Sequence, residues 1–87
     1  MMITGINKVF EHEGRKLHIQ AEDLGDLAAA FEIRVYNEGS VLWLKRIPYT
    51  ELKEKNLPRL EHEHELRLLM EKMVHTVEAG IVKGKIG

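Results

Sequence analysis

The stretch AAFEIRVYNEGSVLWLKRI, residues 29–47, decides the fold. Ala29 to Tyr36 and Val41 to Ile47 alternate apolar with polar residues and flank Asn37-Glu38-Gly39-Ser40. Alternation gives a strand one apolar face, and a glycine in a short polar break signals a hairpin turn. With Glu38-Gly39 as the turn centre, Val35 pairs with Leu42, Ile33 with Leu44, and Phe31 lies near Arg46. The opposite face then pairs Tyr36 with Val41, Arg34 with Trp43 and Glu32 with Lys45. That face offers a cation–π contact and an opposite-charge pair.

Working outward, Ile6 to Glu11 and Leu17 to Glu22 flank Gly14-Arg15, a second hairpin signal. Pairing about that turn sets Phe10 opposite Ile19 and His12 opposite Leu17. Val9, Glu11, His18 and Gln20 then share the other face, and centring the loop on Glu13-Gly14 keeps those faces together. Asp23 to Ala28 connects the hairpins. Pro48 ends the last strand because it has no N–H for a ladder. Thr50 caps a short turn, Glu51 to Lys55, and Asn56 caps a longer helix from about Pro58 to Ala79. Glu61, Glu63 and Glu65 crowd the positive end of that helix, and Gly80 follows it as a terminator. Leu66, Leu69, Met70, Met73 and Val77 recur at three- and four-residue spacing, which makes one apolar face.

The expected architecture is α+β: a four-stranded antiparallel sheet of two hairpins followed by a long C-terminal amphipathic helix packed on one face (ββββα). Residues 1–80 form a single domain and residues 81–87 a flexible tail. The core expected from the pairing comprises Phe10, Leu17, Ile19, Phe31, Ile33, Val35, Leu42, Leu44, Leu66, Leu69 and Met73. A helix of about 22 residues spans about 33 Å, whereas strands of six or seven residues span roughly 20–24 Å. The helix therefore overhangs the sheet, and a second copy is its simplest cover. This reading makes the chain a homodimer with Leu69, Met70, Met73 and Val77 at the interface.

At 87 residues, 44% hydrophobic and 31% charged, the chain fits one soluble domain of marginal core size. The absence of Cys removes disulfides, thiolate catalysis and Cys-ligated zinc together. A net charge of -1 gives no global pull toward nucleic acid or an anionic membrane. Met1-Met2-Ile3-Thr4-Gly5 lacks the pattern of a signal peptide, and no apolar run is long enough to cross a membrane. A cytoplasmic, bacterial-type protein is expected.

The chemistry-bearing candidates are few. Glu11-His12-Glu13 and Glu61-His62-Glu63-His64-Glu65 contain metal-ligand types. His62 and His64, two apart on a helix, point about 200° away from each other, and the His-Glu-x-x-His spacing is absent. His62 with Glu65 is the nearest approach to a pair, so no metal site and no cofactor is expected. Ser40 is the only Ser, sits in a turn and lacks a nucleophile elbow, so no catalytic residue is assigned. One sheet face does have the composition of a contact surface: His18, Gln20, Arg34, Tyr36, Trp43 and Lys45, interleaved with Glu11, Glu22 and Glu32. Aromatic and basic groups together are what single-stranded nucleic acid binds, by stacking and phosphate contact.

His18-Ile19-Gln20-Ala21-Glu22-Asp23-Leu24-Gly25, then a Gly-turn hairpin, then Tyr49-Thr50-Glu51-Leu52 and a helix, resembles a small bacterial family without an assigned function. In architecture, four antiparallel strands and a C-terminal helix also resemble the Whirly and transcriptional-coactivator single-stranded DNA-binding folds. That resemblance implies association through helices and binding across strands, but the chain lacks their excess of Lys and Arg. The expected function is a small, non-catalytic, homodimeric binding or interaction module, its contact face open to a second subunit, a protein partner or peptide, or unstacked bases. The alternative is a transcription-related single-stranded nucleic acid binder, and a metal-dependent enzyme ranks third.

Overall fold

Both hairpins close on a Glu-Gly pair. Glu13 and Gly14 have φ of 50° and 76°, Glu38 and Gly39 of 51° and 83°. Two successive positive φ values make the turn whose twist matches paired strands, and glycine takes the second position without a Cβ penalty. The computed structural model, which describes residues 5–86, builds on these turns a sheet of β1 (Gly5–His12), β2 (Arg15–Asp23), β3 (Ala30–Asn37) and β4 (Ser40–Pro48). The strand order is β1-β2-β3-β4, every pair antiparallel. α1 (Thr50–Glu54) and α2 (Arg59–Val82) follow, so the α+β architecture is as expected. Met1 to Thr4, inspected above for a leader, and Gly87 of the expected tail lie outside the described residues.

The first hairpin uses the Glu13-Gly14 loop, so Phe10 faces Leu17 and Lys8 faces Ile19. The faces are those expected and only the pairs slide. The second hairpin departs from the expected register. Tyr36 pairs with Val41 as foreseen, but a bulge between Val35 and Tyr36 then sets Val35 against Trp43, Arg34 against Leu44, Ile33 against Lys45 and Phe31 against Ile47. One extra residue in β4 reverses the faces beyond it. Without the bulge, Arg46 would stand beside Phe31 in the core; with it, Ile47 takes that place and Arg46 turns outward toward Glu32. Leu42 and Leu44, expected in the core, are therefore 37% and 50% exposed. Trp43 and Ile47 pack against the core instead.

The core itself joins Leu17, Ile19, Phe31, Ile33 and Val35 of the sheet with Leu66, Met70, Val74, Val77 and Ile81 of α2. Tyr49 and Leu52, from the connection after β4, seal one end of it. Phe10, Leu69 and Met73, expected inside, are half-buried at its margin. Asn56 does not cap α2. It takes a left-handed φ of 49°, a conformation asparagine tolerates, and its side-chain amide donates to the Glu54 carbonyl, so it ends α1. α2 begins after Pro58. It also outlasts Gly80: Ile81 is buried in its last turn, and the stop comes at Gly84, where the Gly84 and Lys85 amides donate to the carbonyls of Ile81 and Gly80. That is the paired bonding by which helix ends commonly satisfy their carbonyls.

Two substitutions separate the observed register from the unbulged one. Ile33→Ala, at a side chain with no exposure, should cost about 2–5 kcal/mol. Leu44→Ser, on the open face, should change stability by only about 0.5 kcal/mol. Urea unfolding of both variants measures the difference, and equal losses would contradict the bulge.

Candidate interaction surfaces

The face of the sheet turned away from α2 carries three cross-strand rows. Val9, His18, Tyr36 and Val41 form the first, with the His18 and Tyr36 rings edge to face at 6.4 Å. Asn7, Gln20, Arg34 and Leu44 form the second, and Gly5, Glu22, Glu32 and Arg46 the third. Toward the first turn Glu11 and Lys16, 3.8 Å apart, share the same face, so its apolar row lies between charged ends. Glu32, buried although it lies on this face, stands directly opposite Glu22. Like charges so placed repel, and the guanidiniums of Arg34 and Arg46 (3.8 Å) both lie against the Glu32 carboxylate. Arg34 is held above its ordinary pKa by the Tyr36 side chain first and by its bond to Glu32 next.

Of the six residues expected on this contact face, His18, Gln20, Arg34 and Tyr36 are on it. Trp43 and Lys45 are not. The bulge turns both to the helix side, where Trp43 is half-buried against the core and Lys45 stands opposite Ile33. Arg34 and Trp43 are consequently not cross-strand partners. Both edges of the sheet are blunted against pairing with another strand. Lys8 on edge strand β1 points inward to the buried Glu78 of α2 at 2.8 Å, and Glu78 also meets His75 at 3.0 Å. β4 carries the bulge, Lys45 and Pro48. Inward charges, bulges and proline are the usual means of protecting an edge.

The helix stripe assigned to a partner is the stripe that covers the chain's own sheet. Met70 and Val77 are 0% and 2% exposed, and Leu69 and Met73 pack against the same core. The overhang exists nonetheless. Arg67 donates to the carbonyl of Gly5 at the start of β1, so the turns of α2 before it lie past the end of the sheet. There they meet α1 and the β2–β3 loop, leaving an open cleft of about 750 Å³ among Leu24, Asp26, Leu27, Lys53, Leu57 and His62.

Tyr49 organises that end. Its hydroxyl donates to Asp23 Oδ1 at 2.6 Å and to the Gly25 carbonyl at 3.2 Å, and its amide donates to Ala29 O at 2.8 Å. Asp23 Oδ1 also accepts from the Gly25 amide, and the His62 ring lies edge-on to Tyr49 at 5.9 Å. Burial, then the bond to Asp23, pushes the Tyr49 phenol well above its ordinary pKa of 10.0. Apart from its place in the Tyr49-Thr50-Glu51-Leu52 segment, the sequence alone gave Tyr49 no role, since its partners are about 25 residues away.

His62 and His64 diverge as their spacing requires: His62 lines this cleft, while His64 and Glu65 line a second groove with Leu57, Leu60 and Glu61. Among the described residues no three His, Asp or Glu side chains converge on a point that a metal ion would occupy. Among the described residues no helix is long and apolar enough to cross a membrane. No protein-family model matches the chain, and no curated protein or solved structure matches it either.

Tyr49→Phe removes a hydroxyl bonded at two points and should cost about 1–3 kcal/mol. The phenol's raised pKa also sets a pH window. Because the folded state holds its proton more tightly, this contribution is complete below about pH 10 and declines above it. Unfolding free energies of both proteins between pH 8 and pH 11 should converge as pH rises. A constant gap would remove the Tyr49 latch as the cause.

Proposed function

We propose that the chain is a small, non-catalytic, homodimeric interaction module whose outer sheet face contacts a partner protein. The observation that carries the reading is the row Val9–His18–Tyr36–Val41, continued by Leu44. It is an apolar and aromatic strip on a rigid sheet, with Val9, Val41 and Leu44 each about half exposed. Fixed side chains lose little freedom on binding, and aromatic groups in such strips supply most of the affinity. With both edges blunted, the open face is the part of the sheet left for contact.

The nucleic acid alternative draws less support than the sequence alone lends it. Trp43 and Lys45 have left the face, and Arg34 and Arg46 are engaged by Glu32. A stacking platform with free cations is what such binding uses, and this face is short of both. A metal-dependent enzyme has no convergent ligand set behind it among the described residues.

Capture of soluble partners on the immobilised protein tests the reading, with Val9→Asp and Tyr36→Ala as face variants that leave the core untouched. A partner protein bound by the wild type should be lost at least about tenfold on Tyr36→Ala, equivalent to about 1.4 kcal/mol. Binding indifferent to both variants would take the contact off this face. Salt-dependent binding of fluorescent oligonucleotides would favour the alternative instead.

A further inference from the structure

The structure assigns the second copy of this chain to the cleft at the overhanging end of α2, each copy inserting Leu27 of its β2–β3 loop into the cleft of the other. This rests on the homodimer reading and specifies its contact. Leu27 is 101% exposed, as bare as in an extended chain, and nothing of its own fold covers it. The loop that presents it is not slack. Leu24 donates to Ala30 O at 3.0 Å, Ala29 to Gly25 O at 2.9 Å, and the Tyr49 hydroxyl clasps both Asp23 and Gly25. An apolar side chain held out on a stapled loop is a preorganised anchor, since little freedom remains to be lost when it docks.

The cleft beside it is complementary in polarity and in charge. Leu24, Leu57 and Leu66 give it apolar walls, and Lys53 stands at its rim. Lys53 has no carboxylate within ion-pair distance among the described residues. Asp26, next to Leu27 on the loop, has a side chain 81% exposed, and among the described residues only the His62 ring comes within ion-pair distance of it, at 3.9 Å. The cleft also holds Asp23, Arg59 and Glu63, but Arg59 and Glu63 pair with each other at 3.2 Å and Asp23 accepts from Tyr49, so the loop offers a leucine beside Asp26 and the cleft offers leucines beside Lys53. A two-fold interface requires one patch to carry both members of each contact, so that residue i meets j while j meets i. That self-complementarity argues for a second copy over a different partner. Leu60, 81% exposed on the adjoining groove that shares Leu57, extends the apolar area on the same end of the molecule.

Sedimentation velocity on the full chain from micromolar to millimolar concentration tests this. The wild type should sediment as a dimer, and Leu27→Asp should raise the dissociation constant at least tenfold with unchanged circular dichroism. Leu68→Asp, an equal loss of surface apolarity elsewhere on α2, should leave it unchanged. Lys53→Glu should weaken the dimer, and Asp26→Lys combined with Lys53→Glu should restore it. A dimer indifferent to Leu27→Asp overturns this contact while leaving the homodimer standing. A wild type that is monomeric throughout overturns both. A monomer that buries Leu27 only against a different protein assigns the cleft to that protein and overturns the self-docking.

Discussion

One helix has to cover four strands. A helix with its side chains is about 10–12 Å across, whereas strands about 4.8 Å apart set the edges of a four-stranded sheet roughly 14 Å from each other. α2 lies nearest β1 and β2, which leaves β4 beyond its shadow. The remaining strand must therefore contribute its own cover, and it does so with Trp43, its bulkiest side chain, and Ile47. Trp43 and Ile47 turn inward beside Val35 and Phe31, and the bulge is the backbone adjustment that lets them. The exposed Leu42 and Leu44, the outward Arg46 and the pairing of Arg46 with Glu32 all follow from that single inserted residue.

This also explains what the sequence could and could not disclose. Residues 31–37 alternate cleanly, and the turns are marked by Glu-Gly pairs, so the two hairpins and the buried Leu17, Ile19, Phe31, Ile33 and Val35 of the sheet were legible. Residues 41–47 have apolar side chains at both parities: Val41, Trp43 and Ile47 on one, Leu42 and Leu44 on the other. Alternation does not exist there to be read. The one available sign was the conflict between Arg46 and Phe31 in the unbulged pairing, which a residue-by-residue reading of the inner face exposes. Asn56 was ambiguous for a different reason, because asparagine serves both as a helix cap and as a left-handed terminator.

The interaction surfaces were less legible because they are built from distant segments. Lys8 and Glu78 each look like surface charges in their own stretch, and only the docking of α2 on β1 turns them into an inward pair. The cleft draws on the β2–β3 loop, α1 and the start of α2, held in place by a tyrosine whose partners are about 25 residues away. The helical stripe, by contrast, was divided between the sheet and a neighbour, with Met70 and Val77 given to the neighbour alone although the chain's own fold buries both. Spacing identifies a buried face; it does not say what buries it.

The order β1-β2-β3-β4 has a kinetic consequence. Every strand pairs with its neighbour in sequence, so the whole sheet assembles through short loop closures with small entropy losses. The distant closure is α2 on β1, marked by Arg67 reaching Gly5 across 62 residues. Chains rich in such local pairing fold fast for their size. The closures within the sheet are thus entropically cheap, whereas docking α2 on β1 has to close most of the chain at once.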